Sequence, residues 1–263
     1  MQDFLLLTRL FSIRVIEFNR DSNIEALPAI VPDQSTIISD PVFNYEEKFG
    51  YFYFQRTQII CLSKTDSDKS IPVTTSKVFP LEYGGHFSNC IEQSGGSALK
   101  LVELIVKSFP AYRDEAIYDG QRVSFYKRAQ LLVSDIWKRL HGHGLGHFID
   151  IDSLTMFADY SVPQLLSYEG VLVYSPELKR RIDGKEEIPP GDSDECEIRA
   201  GSILVVDLIV NHANEIIRLE KNSENEGKKL NAATVDGYLW RKSVDQEHLY
   251  QQTPFHRTRT IFY

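Results

Sequence analysis

An aspartate flanked by aromatic rings is the residue of this chain best suited to chemistry. The stretch Leu154-Thr-Met-Phe-Ala-Asp-Tyr-Ser-Val-Pro-Gln164 sets Asp159 between Phe157 and Tyr160, behind an apolar group and ahead of a proline-bounded turn. A carboxylate in such company is partly desolvated, and desolvation makes it a stronger base. Read on residue type alone, the same aspartate is a helix cap or a solvated surface acid. Asp236, close to Tyr238 and Trp240, repeats the pattern. Acids beside rings suit a flat heterocycle, which stacks on the rings while the acids read its N–H groups. They suit ordinary packing equally well.

Other constellations are weaker. His141, His143 and His147 alternate with Gly142, Gly144 and Gly146. Imidazoles bind zinc, copper or nickel, but this spacing is neither a zinc-finger nor an HExxH pattern, and the glycines do not form GxGxxG. No metal or cofactor is expected. Lys127 and Arg128 form either a solvated helix face or cations aimed at a phosphate. Glu195 and Glu197 open a long apolar segment, where first-turn acids favour the helix dipole. Asp207 within that segment reads as a buried, paired acid or as its polar flank. Neither a GxSxG elbow nor a Cys–His pair at a known local spacing is found, so nucleophilic Ser or Cys hydrolysis has little support.

These residues need a scaffold, and the periodicity predicts a mainly α one. Leu101, Leu104, Ile105 and Phe109 mark a helix that stops before Pro110. Phe125, Ala129, Leu132, Val133, Ile136 and Leu140 mark a stronger one over Val123–Leu140, closed by the His-Gly run. Ala111–Gly120 between them reads as a polar connection. Short helices are expected over Pro163–Ser167 and from Pro176, the latter capped by Ser175. A long helix follows, carrying Ile203, Val206, Val210, Ala213 and Ile217, and a last one runs over Ala232–Arg241. Asn222–Lys229 reads as a loop. The first part of the chain is less regular, with a short helix over Leu5–Phe18 and strand-like runs at Tyr51–Phe54 and Gln58–Leu62.

Composition narrows the partners. A net charge of -8 and a sequence pI of about 5.4 argue against gripping a long nucleic acid backbone, while leaving room for a small phosphorylated ligand. Three widely spaced cysteines, Cys61, Cys90 and Cys196, make no CxxC pair and suit a reducing compartment. No apolar run is expected to approach the roughly 18 residues of a membrane span. The expectation is a soluble protein of the cytoplasm, with the nucleus as second location.

Several motifs in register then carry a family resemblance. Val123-Ser-Phe-Tyr-Lys-Arg-Ala-Gln130, Leu154–Tyr160 with Val162-Pro-Gln164, Glu197-Ile-Arg199, Tyr238-Leu-Trp240 and Pro254-Phe-His-Arg257 follow the order of the queuosine salvage proteins. Phe87-Ser-Asn-Cys90 and Ser108-Phe-Pro-Ala-Tyr-Arg113 extend the resemblance to residues 84–263. It implies a single helical domain similar to DNA glycosylases, behind a shortened or divergent region 1–83. It implies hydrolysis of the N-glycosidic bond of queuosine 5′-monophosphate, releasing queuine for tRNA modification; the acidic charge and the apolar pattern add the expectation of no direct contact to nucleic acid or membrane. The resemblance puts the catalytic acid at Asp159, a wall of the base pocket at Phe157, and a base-contacting acid at Asp236. Charge and motif membership nominate Lys127, Arg128, His256 and Arg257 for the 5′-phosphate.

The chain departs from that family in two respects. Residues 1–83 hold no counterpart of its N-terminal motifs, and Gly237 and Arg241 stand where the family has an aromatic residue and an acid. The alternative reading is therefore a shortened member that binds a nucleotide or base without turnover.

Overall fold

The structure, a computed structural model, describes residues 14–15, 83–219, 229–250 and 252–263. The strand-like runs at Tyr51–Phe54 and Gln58–Leu62 lie outside these residues, as does nearly all of the Asn222–Lys229 loop. So does most of the helix expected over Leu5–Phe18. Within that stretch Arg14–Val15 form a short strand, β1, antiparallel to Leu172–Val173, so no helix runs through it.

From Tyr83 onward the described residues are mostly helical. Helices α1 (Phe87–Gln93) and α2 (Ala98–Ser108) come first. The Ser97 hydroxyl accepts from the Lys100 N–H at 3.1 Å, satisfying one of the free amides of the first turn of α2. Asp150 joins this cap, accepting from the Ala98 N–H at 2.5 Å and from the Ser97 hydroxyl at 2.7 Å. Pro110 bars continuation, as expected.

The next segment corrects the sequence reading. Residues 115–124 form a hairpin of β2 (Glu115–Tyr118) and β3 (Gln121–Ser124), with Tyr118 paired to Gln121. Its turn is Asp119-Gly120, both at positive φ (48° and 72°), the signature of a two-residue type I′ connection. Helix α3 therefore begins at Lys127, not Val123. Phe125 had counted toward the helical stripe because its spacing matched, but it precedes the helix.

Helices α4 (Ser161–Tyr168) and α5 (Pro176–Asp183) flank strand β4 (Leu172–Val173). Ser175 caps α5 as expected, accepting from the Leu178 N–H at 3.2 Å. The central helix α6 (Ser193–Leu219) has 27 residues, followed by α7 (Ala232–Asp245) and the short α8 (Glu247–Tyr250). By length and composition alone α6 could cross a membrane, although charged residues interrupt its apolar run. Half of its most apolar window is buried inside the fold. It serves as a core helix.

Two apolar cores result. One gathers Leu101, Ile105, Val133 and Leu154 from α1–α3 and the loop beyond; the other gathers Leu165, Leu166, Val206, Val235 and Leu239 from α4–α7. Each of these buried side chains contributes roughly 1.5–3 kcal/mol. The 154–159 stretch runs along the seam, with Leu154 in the first core and Met156 and Ala158 in the second.

Candidate active site

The seam brings acids and a lysine together. Asp159 is 7% exposed and ends the loop entering α4. Its Oδ1 accepts from the Ser161 N–H at 2.9 Å and the Val162 N–H at 3.4 Å. The cap reading of this aspartate is thus correct for one oxygen. The other oxygen, Oδ2, lies 3.8 Å from Lys127 Nζ, both side chains being almost entirely buried. Lys127 is the first residue of α3, so the pair joins the first core to the second. Removing one member of such a pair leaves a buried charge uncompensated, a cost of about 3–5 kcal/mol.

Asp236 enters from α7. It is buried, and its Oδ1 accepts from the Phe157 N–H at 3.0 Å. Burial pushes its carboxyl up to about 7, and the negative charge of Asp159 adds to the rise. The Phe157 N–H, Lys138 and Lys127 oppose it without prevailing. Near neutral pH Asp236 therefore exchanges its proton readily and can donate or accept. Two carboxyl groups in neighbouring settings, one beside a lysine and one desolvated, form the kind of divided pair that acid–base chemistry uses. Phe157 is 3% exposed and links them through the chain.

The other residues nominated for the phosphate come from the start of α3 and from the C-terminal segment, where Phe255 packs on Tyr160 at 5.1 Å. The Arg128 guanidinium donates to the Ile261 carbonyl at 2.9 Å and sits over the Tyr112 ring. His256 is 1% exposed, and burial followed by the charge of Arg199 lowers its pKa to about 4. In this setting burial and Arg199 both oppose a charge on its ring. Arg257 is exposed, and its carbonyl accepts from the Ile188 N–H at 2.7 Å. Lys127 is drawn to Asp159.

Asp114 went unnoticed in the sequence, and Glu195 was read only as a dipole acid. Both grip Arg199, at the head of α6. Arg199 forms a fork to the Asp114 carboxylate at 2.8 and 2.5 Å and donates to Glu195 Oε1 at 3.2 Å. Its guanidinium lies over the rings of Phe125 and Tyr263, and the Tyr263 hydroxyl donates to Glu195 at 2.9 Å. Glu197 accepts from the Tyr118 hydroxyl at 2.8 Å. A buried arginine demands acids, but no spacing rule tells which acid, and Asp114 is 85 residues away. Among the described residues no three His, Cys, Asp or Glu side chains group as a metal site. The His141–His147 run is a turn and a short 3-10 segment, Gly144–Gly146, closing α3.

The two departures also find their places. Gly237 leaves room for Lys138, whose Nζ would lie 3.5 Å from an added Cβ and donates to the Ala233 carbonyl at 3.3 Å. Arg241 pairs with Asp245 at 2.6 Å, one turn along α7.

A helical scaffold with a buried lysine–aspartate pair and a second, desolvated acid defines a candidate acid–base site. The profile of the queuosine salvage protein family matches residues 65–263, and the chain belongs to that family. The queuosine 5′-phosphate N-glycosylase/hydrolase of Mus musculus is 46% identical over 189 residues, covering 72% of this chain and 55% of the relative. The proteins of that name from Bos taurus and Sphaerobacter thermophilus are each 42% identical, over 209 and 189 residues. These matches cover 76% and 72% of this chain, and 61% and 55% of the relatives. The chain thus spans little more than half the length of the curated relatives it matches.

Proposed function

We propose that the chain hydrolyses the N-glycosidic bond of queuosine 5′-monophosphate, releasing queuine. The observation that carries the reading is the buried Lys127–Asp159 pair, with Asp236 close enough to feel its charge, in a family whose curated relatives are named for that reaction. Breaking the bond builds positive charge on the sugar. Asp159 stabilises that charge or activates the attacking water. The water oxygen becomes the new sugar hydroxyl, and the departing base takes up a proton. Queuine is a 7-deazaguanine and has no N7 to protonate, so the burden shifts toward the sugar side and hence toward Asp159.

Asp236 is assigned to the base. The secondary amine of queuine is cationic at neutral pH, and its approach would draw the proton off Asp236 and form an ion pair. Phe157 is assigned to the wall of the base pocket. For the 5′-phosphate the candidates are Lys127, Arg128, His256 and Arg257, of which Arg257 is exposed and permanently charged. The substrate is a free mononucleotide, in keeping with the acidic net charge, and the helical frame is of the DNA-glycosylase kind.

Incubation with queuosine 5′-monophosphate, with free queuine followed by mass spectrometry, tests the reading. Release by the wild type and its loss in Asp159→Asn are expected; no release by the wild type, or unchanged release by the variant, rejects catalysis. A second reading, binding without turnover, is favoured by Gly237 and Arg241, which stand where the family has an aromatic residue and an acid. Calorimetric binding of the nucleotide with no queuine released would select it.

A further inference from the structure

The Lys127–Asp159 pair is gripped from behind on both sides by one buried ion pair. Arg199 Nε donates to the carbonyl of Ala158, the residue before Asp159, at 3.2 Å. Asp114 Oδ2 accepts from the backbone N–H of Lys127 at 3.1 Å. Arg199 and Asp114 are themselves joined by the two-point fork, and each is 2% exposed. A chain of hydrogen bonds thus runs from the backbone of one site residue to that of the other, through a guanidinium and a carboxylate. The guanidinium is planar, and its forked donors fix the angle as well as the distance. The rings of Phe125 and Tyr263, 4.0 and 4.5 Å away, restrain it further.

The spacing of the site pair matches such a backbone constraint. Lys127 Nζ stands 3.8 Å from Asp159 Oδ2, beyond the roughly 2.7–2.9 Å of a charge-assisted hydrogen bond. The two opposite charges have not closed to contact, although the lysine stem is flexible. The backbones on both sides of this gap are the ones that Asp114 and Arg199 hold.

We propose that Asp114 and Arg199 are positioning residues that set the separation of Lys127 and Asp159. Neither touches the substrate; each acts through the backbone of a site residue. The proposal rests on the reading of Asp159 as the catalytic acid.

Two variants test it. Arg199→Lys keeps the charge but cannot hold the Asp114 fork and the Ala158 carbonyl together. Asp114→Asn keeps the shape and one acceptor but loses the charge. Hydrolysis of queuosine 5′-monophosphate by folded variants should show kcat lowered about 10–100-fold, with KM within about threefold of wild type, as expected when reacting groups are misplaced. A purely structural role would lower the unfolding midpoint and leave kcat intact. The second measurement needs no turnover: urea-unfolding cycles with Lys127→Met and Asp159→Asn give the coupling of the pair. That coupling should change the folding equilibrium by about 100-fold or more with Arg199 in place and by at least about tenfold less in the Arg199→Lys background. An inactive wild type overturns the proposed reaction, and the coupling then decides the positioning alone. A kcat within about twofold of an active wild type in the folded variants, or a coupling unaffected by Arg199→Lys, overturns the positioning proposal.

Discussion

At the scale of single residues, the division of labour rests on environment. Asp236 has its carboxyl raised from an ordinary 3.8 to about 7 by burial and by Asp159. A raised acid binds its proton more tightly when folded than when unfolded. Stability therefore falls as pH rises through the interval between those values, by on the order of 4 kcal/mol once it is complete. Asp236→Asn, which keeps an acceptor for the Phe157 N–H, should remove this slope, so that urea unfolding shows the variant gaining on the wild type between pH 5 and pH 8. An unchanged gap would mean that Asp236 ionises normally. Lys127→Met should weaken folding by about 3–5 kcal/mol, because it strands the buried Asp159 charge; denaturant unfolding measures it. Aromatic neighbours and motif order singled out Asp159, Phe157 and Asp236, and the structure joins Phe157 to Asp236 by a hydrogen bond. Lys127 was singled out for a phosphate, and its pairing with Asp159 was not foreseen. A sequence shows that a lysine is present, but the direction of its stem depends on the helix start, which the hairpin moved to Lys127.

At the scale of elements, helix termini place the site. Asn231 caps α7, accepting from the Thr234 N–H at 2.9 Å, and its amide donates to Asp152 at 3.0 Å. Asn231→Ala should cost about 1 kcal/mol and loosen the helix that presents Asp236, visible as a lower unfolding midpoint. Gly237, in the interior of α7, has a negative φ and only ordinary contact awaiting a Cβ. Gly237→Ala should therefore stabilise the protein by about 0.5–1 kcal/mol, read by the same unfolding curves. A loss of stability instead would show that Lys138 needs the space. The helices were legible wherever a cap or proline punctuated them, as at Pro110 and Ser175. The β2–β3 hairpin was not: its strands are four residues each, too short for alternation to stand out, and Asp119-Gly120 was passed over as part of a polar connection.

At the scale of the whole molecule, the site is a seam between two cores, and buried ionisable groups tie the fold to pH from both sides. His256 has its pKa lowered from 6.5 to about 4. The unfolded chain takes up its proton as pH falls below 6.5 while the folded one resists, so stability is lost toward pH 4. Asp135 and Asp207, each raised to about 6 by burial, add to Asp236 and cost stability in the other direction. The mainly α architecture followed from periodicity, because each helix shows its own apolar face. The seam did not, since it depends on which faces meet, and the Asp114–Arg199 contact spans 85 residues.

The central claim is that Asp159, paired with Lys127, cleaves a nucleotide's N-glycosidic bond. Single-turnover release of queuine from queuosine 5′-monophosphate, compared between wild type and Asp159→Asn, tests it most directly. Asn can still accept from the Ser161 N–H, so the cap of α4 survives while the charge is lost. The account predicts release by the wild type and a loss of about 100-fold or more in the variant. Equal rates in the two, or no release by a folded wild type, would contradict it.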